Sequence, residues 1–318
     1  MAERYKISVV MPAYNAGRFI GKAIDTILNQ TYRNIELLIM DDASKDDTVK
    51  IVQSFKDSRI RLFYNEKNLG YLKTCNKLFD LAAGEFITFQ DADDYSDLRR
   101  LEIQMNEFEK ERDLMVCGTN LTAVHEDGTL MFCSHYFCDQ KTIAENMLDG
   151  HFAMIPNSFL FKREILSTIG KYNEYWDRIG AEDYYWAWLI IEKYKLINIH
   201  LPLYFYRYHP HGVTGDWSDN PRKLHTLKVL NYLLKERIQS GTDSLEKGDL
   251  RKLHDLVREW QAPYNEDASL FYRELARRDF YRGYKKRALT LMMKAITNNP
   301  VKPVNYKDFL YYLRAKPG

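Results

Sequence analysis

Four short apolar runs, at residues 7–11, 35–40, 60–64 and 85–89, alternate with stretches whose apolar side chains recur at helical spacing. No other feature of the chain constrains the fold as much. Strands that alternate with helices pair in parallel and carry helices on both faces. The first run ends at the turn Pro12-Ala13-Tyr14-Asn15, and Phe19, Ile20, Ala23, Ile24, Ile27 and Leu28 then repeat at helical spacing. The second leads into Asp41-Asp42-Ala43-Ser44, with Ser44 the expected cap of a helix over 47–55. The third leads through a loop over 65–70 to a helix over 71–83. In such sheets ligands bind beyond the carboxyl ends of the strands. Three of those ends carry candidate ligand groups: Ala13-Tyr14-Asn15, Asp41-Asp42 and Asp91-Ala92-Asp93.

Further on, the pattern predicts a helix over 98–111, a strand over 114–120 and a hairpin turn at Asp127-Gly128. A strand over 155–161, a buried helix over 184–191 and a strand over 203–209 follow. The last of these runs into the turn Pro210-His211-Gly212. After residue 217 only helical periodicity remains, over 224–237, 250–260, 268–280 and 284–297. The final pair, joined at Gly283, has the cadence of one tetratricopeptide-type hairpin. The expected class is therefore α/β: a mostly parallel, Rossmann-like sheet flanked by helices, with an all-helical C-terminal extension.

Charge separates the two parts. From residue 221 onward Lys and Arg outnumber Asp and Glu by 21 to 11, whereas before it acids outnumber bases by 33 to 25. An acidic front suits a cation, and a basic tail suits an anionic partner such as lipid headgroups or a phosphate-bearing acceptor. Arg277, Arg278, Arg282, Lys285, Lys286 and Arg287 form the densest basic stretch, which would rest on anionic lipid or be an ordinary solvated face. No nucleic-acid motif accompanies it, so no nucleic-acid partner is expected. The four cysteines have neither CxxC nor zinc spacing and read as reduced thiols. The N-terminus leads directly into a strand, without a signal-peptide core, and no run nears the ~18 apolar residues of a membrane span. These features predict a cytoplasmic protein, peripheral at the inner membrane face if membrane-associated at all.

The cluster Gln90-Asp91-Ala92-Asp93-Asp94 directly follows the fourth apolar run. Carboxylates crowded at the end of a hydrophobic strand are costly unless a positive charge neutralises them. A hard divalent cation does so, and a cation held by one or two carboxylates completes its shell with phosphate oxygens. Taken alone, the cluster also suits an acidic loop or a helix cap.

Seven segments appear in an order that resembles family 2 glycosyltransferases. They are Val9-Val10-Met11-Pro12-Ala13-Tyr14-Asn15, Ile39-Met40-Asp41-Asp42-Ala43-Ser44, Asn68-Leu69-Gly70, Gly84-Glu85-Phe86-Ile87, Asp91-Ala92-Asp93-Asp94, Glu182-Asp183 and Tyr206-Arg207-Tyr208-His209. The resemblance covers residues 6–215. It implies the glycosyltransferase A fold, a nucleotide-sugar donor with UDP favoured, a divalent metal (Mn2+ or Mg2+) and inversion at the anomeric carbon. Residues 1–98 would be the nucleotide-sugar-binding half, 99–217 the acceptor-binding half of the same domain, and 218–318 a basic helical domain.

The resemblance also distributes roles. Asp93 and His209 would hold the metal, with His211 a second candidate, and Asp91 and Ala92 would contact the nucleotide. Asp94 would cap the next helix. Pro12, Ala13, Tyr14 and Asn15 would surround the base, Asp42 would accept from its imide N–H, and Asn68 and Gly70 would approach the nucleotide. Cys75 stands where the family often has arginine, and Lys73 would supply the missing charge. Asp183 would be the general base, although the same position suits a helix N-cap. Beside it Glu182 would orient the site or contact the acceptor. The residues themselves add that the Tyr175 and Trp176 rings would line the acceptor site, and that Asn157 and Ser158 would face it or belong to a satisfied turn. Two other readings remain: a metal-dependent nucleotide-sugar hydrolase, and a non-catalytic nucleotide-sugar-binding scaffold. The leading one is a transferase acting on a glycan or lipid-linked acceptor in surface polysaccharide synthesis.

Overall fold

The computed structural model describes residues 4–151, 153–209 and 221–316. The chain divides into two units, Met1–Gly212 and Val213–Gly318. In the first, β1 (Ile7–Ala13), α1 (Ile20–Leu28), β2 (Ile35–Asp41), α2 (Thr48–Ser54), β3 (Ile60–Tyr64), α3 (Tyr71–Leu81) and β4 (Phe86–Phe89) alternate. Then come β5 (Tyr95–Ser96), α4 (Arg100–Lys110), β6 (Leu114–Val124), β7 (Leu130–Cys133), α5 (Gln140–Leu148), β8 (Leu160–Lys162), α6 (Ile165–Thr168), α7 (Glu182–Ile191) and β9 (Lys195–Arg207).

One sheet carries all nine strands in the order β3-β2-β1-β4-β8-β6-β9-β5, with β7 hanging from β6. The pairs β1–β2, β2–β3 and β1–β4 are parallel. Beyond β4 the sheet is mixed: β8 runs antiparallel to β4 and β6, while β6 and β9 are parallel. Every residue of β1 and β2 is buried, as expected of central strands covered on both faces. α1 covers one face with Ile20, Ala23, Ile24 and Ile27, all fully buried. Each isoleucine so buried contributes roughly 1.5–3 kcal/mol.

This topology positions the site. β1 has β2 on one side and β4 on the other, so their carboxyl ends open into one crevice. Ala13 is in register with Asp41, and Val10 with Phe89 just before the acidic cluster. Gly84 lets the chain enter β4 closely: a Cβ there would lie 2.6 Å from the Lys6 carbonyl.

Local readings differ from expectation in four places. Ser44 does not cap α2; its Oγ accepts from the Asn15 amide at 2.9 Å, and Asp46 holds the Thr48 amide at 3.0 Å. Asp94 caps no helix, because β5 follows it and its Oδ1 accepts the Arg207 amide at 2.7 Å. The run 155–161 begins as a 3-10 turn, Pro156–Ser158, where proline removes a ladder donor. The strand expected over 203–209 is the end of the longer β9.

The second unit contains a 3-10 turn at Pro221–His225 and α8 (Thr226–Ser240), α9 (Ser244–Lys247), α10 (Arg251–Glu266), α11 (Ala268–Tyr281), α12 (Lys285–Asn298) and α13 (Pro303–Arg314). Gly283 turns α11 into α12 at φ 88°. The facing sides bury Phe271, Leu275, Phe280, Ala288, Leu291 and Met292, and Tyr312 of α13 closes the cluster. α13 escaped the sequence reading, although Pro303 at its start is a standard opening signal. The basic stretch is less open than expected: Arg278 and Arg287 both pair with the buried Asp279, and Arg277 pairs with Glu274. Among the described residues no helix is long and apolar enough to cross a membrane.

Candidate active site

At the mouth of the crevice the turn after β1 is laced to the loop after β2. The Asp42 amide donates to the Ala13 carbonyl at 2.8 Å, and the Lys45 amide to Asn15 Oδ1 at 2.8 Å. Asn15 adopts φ 49°, and the Tyr14 ring, half exposed, stands open beside buried Pro12 and Ala13. Asp42 does not face the crevice as expected. Its Oδ1 accepts from the Leu69 amide and Asn65 Nδ2, and its Oδ2 from the Gly70 amide, all at 2.8–2.9 Å. The buried carboxylate thus pins the loop 68–70, where Gly70 takes φ 90°. Asp41 is the acid with spare capacity: Oδ2 holds the Ser44 amide, while Oδ1 is buried without a partner among the described residues.

Beyond β4 the acids are close-set. Asp91, Asp93 and Asp94 bring one carboxylate oxygen each within 4.8 Å of one another. Asp91 Oδ1 accepts from the Tyr71 hydroxyl at 3.0 Å, and Oδ2 from Asn157 Nδ2. Asp93 Oδ2 lies 2.8 Å from His209 Nε2. Arg207 links the two segments: its Nε donates to the Asp93 carbonyl at 2.9 Å, and its guanidinium lies over the Phe19 and Tyr95 rings. Burial, reinforced by Asp93, pushes the Asp91 carboxyl up to about 7. Asp94 is raised for the same reasons, and its Oδ2 is buried without a hydrogen-bond partner among the described residues. A hard divalent cation fits this set, since it would satisfy the orphaned oxygen and offset the repulsion. Asp91, Asp93 and Asp94 could offer it oxygens, and His209 Nε2 stands 2.8 Å from Asp93 Oδ2. His211 lies outside the described residues.

Glu182 and Asp183 open α7 after Ala181, which takes φ 74°. Asp183 accepts the Tyr184 amide at 2.8 Å, and a helix N-terminus favours its ionised form. Burial nevertheless raises Asp183 to about 6, and burial together with Asp183 raises Glu182 to about 8. The fields of the two acidic groups overlap. Asp91 feels Asp183, and buried Cys75 and Tyr172 feel Asp91, Glu182 and Asp183 together. The acids of α7 therefore lie close enough to the first acid of the β4 cluster for their charges to interact.

The expectations for Trp176 and Ser158 are corrected, while Asn157 and Lys73 are found with protein partners. Trp176 is fully buried against Tyr175 and Tyr185, so it packs the core and cannot stack on an acceptor, whereas Tyr175 is half-buried. Ser158 is buried and bonded to the Thr119 amide and the Ile155 carbonyl. Asn157, half-buried, donates its Nδ2 to Asp91 Oδ2. Lys73 pairs with Asp177 at 2.9 Å. Exposed Arg178 instead reaches the nucleotide-side loop, donating to the Asn68 carbonyl and Oδ1 at 3.1 and 3.0 Å. Sequence reading missed Tyr71, Arg178 and the bracing role of Arg207, because each acts on a partner far along the chain.

The model of glycosyl transferase family 2 matches residues 8–170. The putative glycosyltransferase EpsE of Bacillus subtilis is 39% identical over 126 residues, which is 39% of this chain and 45% of that protein. The Escherichia coli UDP-Glc:alpha-D-GlcNAc-diphosphoundecaprenol beta-1,3-glucosyltransferase WfaP is 27% identical over 240 residues, covering 73% of this chain and 89% of that one. The chain thus spans less than half of EpsE but most of WfaP. Among solved structures, S. aureus TarS 1–349 in complex with UDP-GlcNAc superposes with a TM-score of 0.63 at 15% identity, over 96% of this chain and 90% of that one. That likeness carries the glycosyltransferase A architecture, and the family match covers half of the chain: it belongs to glycosyl transferase family 2.

Proposed function

We propose that this chain transfers a sugar from a UDP-sugar to a hydroxyl of a glycan or lipid-linked acceptor in surface polysaccharide synthesis, with inversion at the anomeric carbon. The observation that supports the reading is a grouping of acids: the Asp93–His209 pair beside Asp91, and Glu182 and Asp183 near enough for their charges to act on Asp91. The names of WfaP and its relatives, with UDP-Glc as donor and a diphosphoundecaprenol-linked acceptor, support the choice of substrates. In this reading residues 1–98 bind the donor, 99–217 the acceptor, and 218–318 form the basic helical domain. The enzyme would work in the cytoplasm.

Tyr14 and the Ala13 backbone flank the base, and the unpartnered Oδ1 of Asp41 accepts its imide N–H. Pro12, Asn15, Asn68, Gly70 and Ala92 shape the nucleotide cleft, and Asp91 contacts the donor beside Asp93. Bound by Asp93 and His209, Mn2+ or Mg2+ would offset the charge that builds on the departing diphosphate. Asp183 takes the proton of the acceptor hydroxyl while that oxygen bonds to the anomeric carbon and the bond to the diphosphate breaks. A base of pKa near 6 is ionised at neutral pH, as this role requires. Glu182 and Tyr175 border the acceptor.

The test is incubation of the purified protein with UDP-sugars and Mn2+, with and without a lipid-linked saccharide. UDP release that needs metal and rises with acceptor is expected. Release indifferent to acceptor would point to a hydrolase, and donor binding without release to a scaffold. Either result overturns the transferase reading.

A further inference from the structure

The helical unit leaves one helix face uncovered, and its chemistry is one-sided. Tyr306, Leu310 and Leu313 follow one another at i, i+4 and i+7, so they form a single stripe along α13. They are 44–50% exposed, and Tyr311 and Tyr281, which touch each other, are more so. Lys307 and Arg314 are also exposed and stand at i−3 and i+4 from Leu310, which makes them its surface neighbours. Residues 281–318 hold nine lysines and arginines and a single acid, Asp308, whose charge is taken by Arg273 at 2.8 Å. The basic stretch expected from sequence is instead partly spent on Asp279, Glu274 and the Ala315 carbonyl, which Lys285 caps at 2.8 Å. A further exposed cationic surface lies one helix along, at Lys307 and Arg314.

We propose that the exposed side of α13 is a docking surface for an anionic lipid bilayer. Tyrosine and leucine at the stripe enter the headgroup boundary, and Lys307 and Arg314 remain at the phosphate level, as in helices that lie in the membrane plane. A second copy of the chain fits this face poorly. A two-fold contact would set Lys307 and Arg314 against their own images with no acid of the segment between them. The surface is independent of the catalytic reading, because vesicle binding is measured without donor or acceptor.

The experiment is co-sedimentation of the full chain with vesicles of mixed phosphatidylglycerol and phosphatidylcholine, and with phosphatidylcholine alone. Binding to the mixed vesicles is expected, weakening with salt and at least about tenfold poorer on the neutral ones. Lys307→Glu with Arg314→Glu, and separately Leu310→Asp with Leu313→Asp, should each lower the bound fraction by about tenfold or more. Circular dichroism melts should be unchanged, because these side chains are exposed. Should the aspartate pair unfold the helix, Leu310→Ala with Leu313→Ala removes the apolar area while keeping a strong helix former. Failure to bind anionic vesicles overturns the proposal, and so does binding that the α13 variants leave intact. A dimer in sedimentation velocity that these variants abolish, without vesicle binding, would reassign the face to self-association.

Discussion

Asp93 and His209 lie 116 residues apart in the chain, and their side chains meet at 2.8 Å, Oδ2 to Nε2. The contact depends on Arg207, which ties the backbone of β9 to Asp94 and its own guanidinium to the Asp93 carbonyl. Asp93→Ala should therefore weaken Mn2+ binding, measured by titration calorimetry, by more than the roughly 10–100-fold typical of an outer partner. His209→Ala should follow in the same direction. Unchanged Mn2+ affinity in both variants would remove this pair as the cation site.

Asp91 is held by Tyr71 and Asn157, neither of which would touch the cation. Tyr71→Phe and Asn157→Ala should each lower kcat/KM by about 10–100-fold while leaving the melting curve near that of the parent. The loss belongs in turnover and metal affinity, and an effect confined to acceptor KM would return Asn157 to the acceptor side.

The neighbouring acids Asp41 and Asp42 should separate cleanly. Asp42→Ala strands three donors, the Leu69 and Gly70 amides and Asn65 Nδ2, at a cost of about 3 kcal/mol or more in stability. Asp41→Asn should leave stability closer to the parent but weaken UDP binding by about 10- to 100-fold, the worth of one charged hydrogen bond. Thermal melts and UDP titrations on both variants test this. The reverse pattern would restore Asp42 as the reader of the base.

What the sequence revealed and what it concealed divide along chain distance. Apolar runs with adjacent turns report on local backbone, so β1 to β4 and the helices between them were legible. The acids at the strand ends were legible too, because a charge after a buried run is conspicuous. Side-chain direction was not. Asn157 and Asp91 are 66 residues apart, and Lys73 and Asp177 meet only through the fold. Trp176 looked like a sugar platform because aromatic composition does not separate a ring facing a cleft from one filling the core. The antiparallel strands past β4 were harder still, since β8 has three residues and a proline turn before it.

In the helical unit, Asp267 caps α11 through the Ser269 amide and pairs with Lys302 ahead of α13. Burial alone would raise its carboxyl, but Lys302, Ser269 and Asn299 outweigh burial and hold it below the usual range. A depressed folded-state pKa stabilises above the unfolded value and loses that contribution as pH falls through the folded one. Asp267→Ala should cost about 1–2 kcal/mol at neutral pH, with the gap to the parent closing as pH drops below about 4. Denaturant melts of the two proteins across that range check the sign.

Asp183 and Glu182 are adjacent acids that burial drives in the same direction, to about 6 and about 8. They take up protons as a pair, whose lower step lies near 6. With Asp183 ionised above about 6, kcat/KM should be level near neutrality and fall about tenfold per pH unit below that value. Asp183→Asn should lose about 10²–10⁴ in rate and, with it, the acid limb of the profile. Glu182→Gln should keep that limb, because the shift of Asp183 comes from burial. A Glu182→Gln profile that lost the acid limb while Asp183→Asn retained it would exchange their roles and place the proton-accepting oxygen one residue earlier on α7.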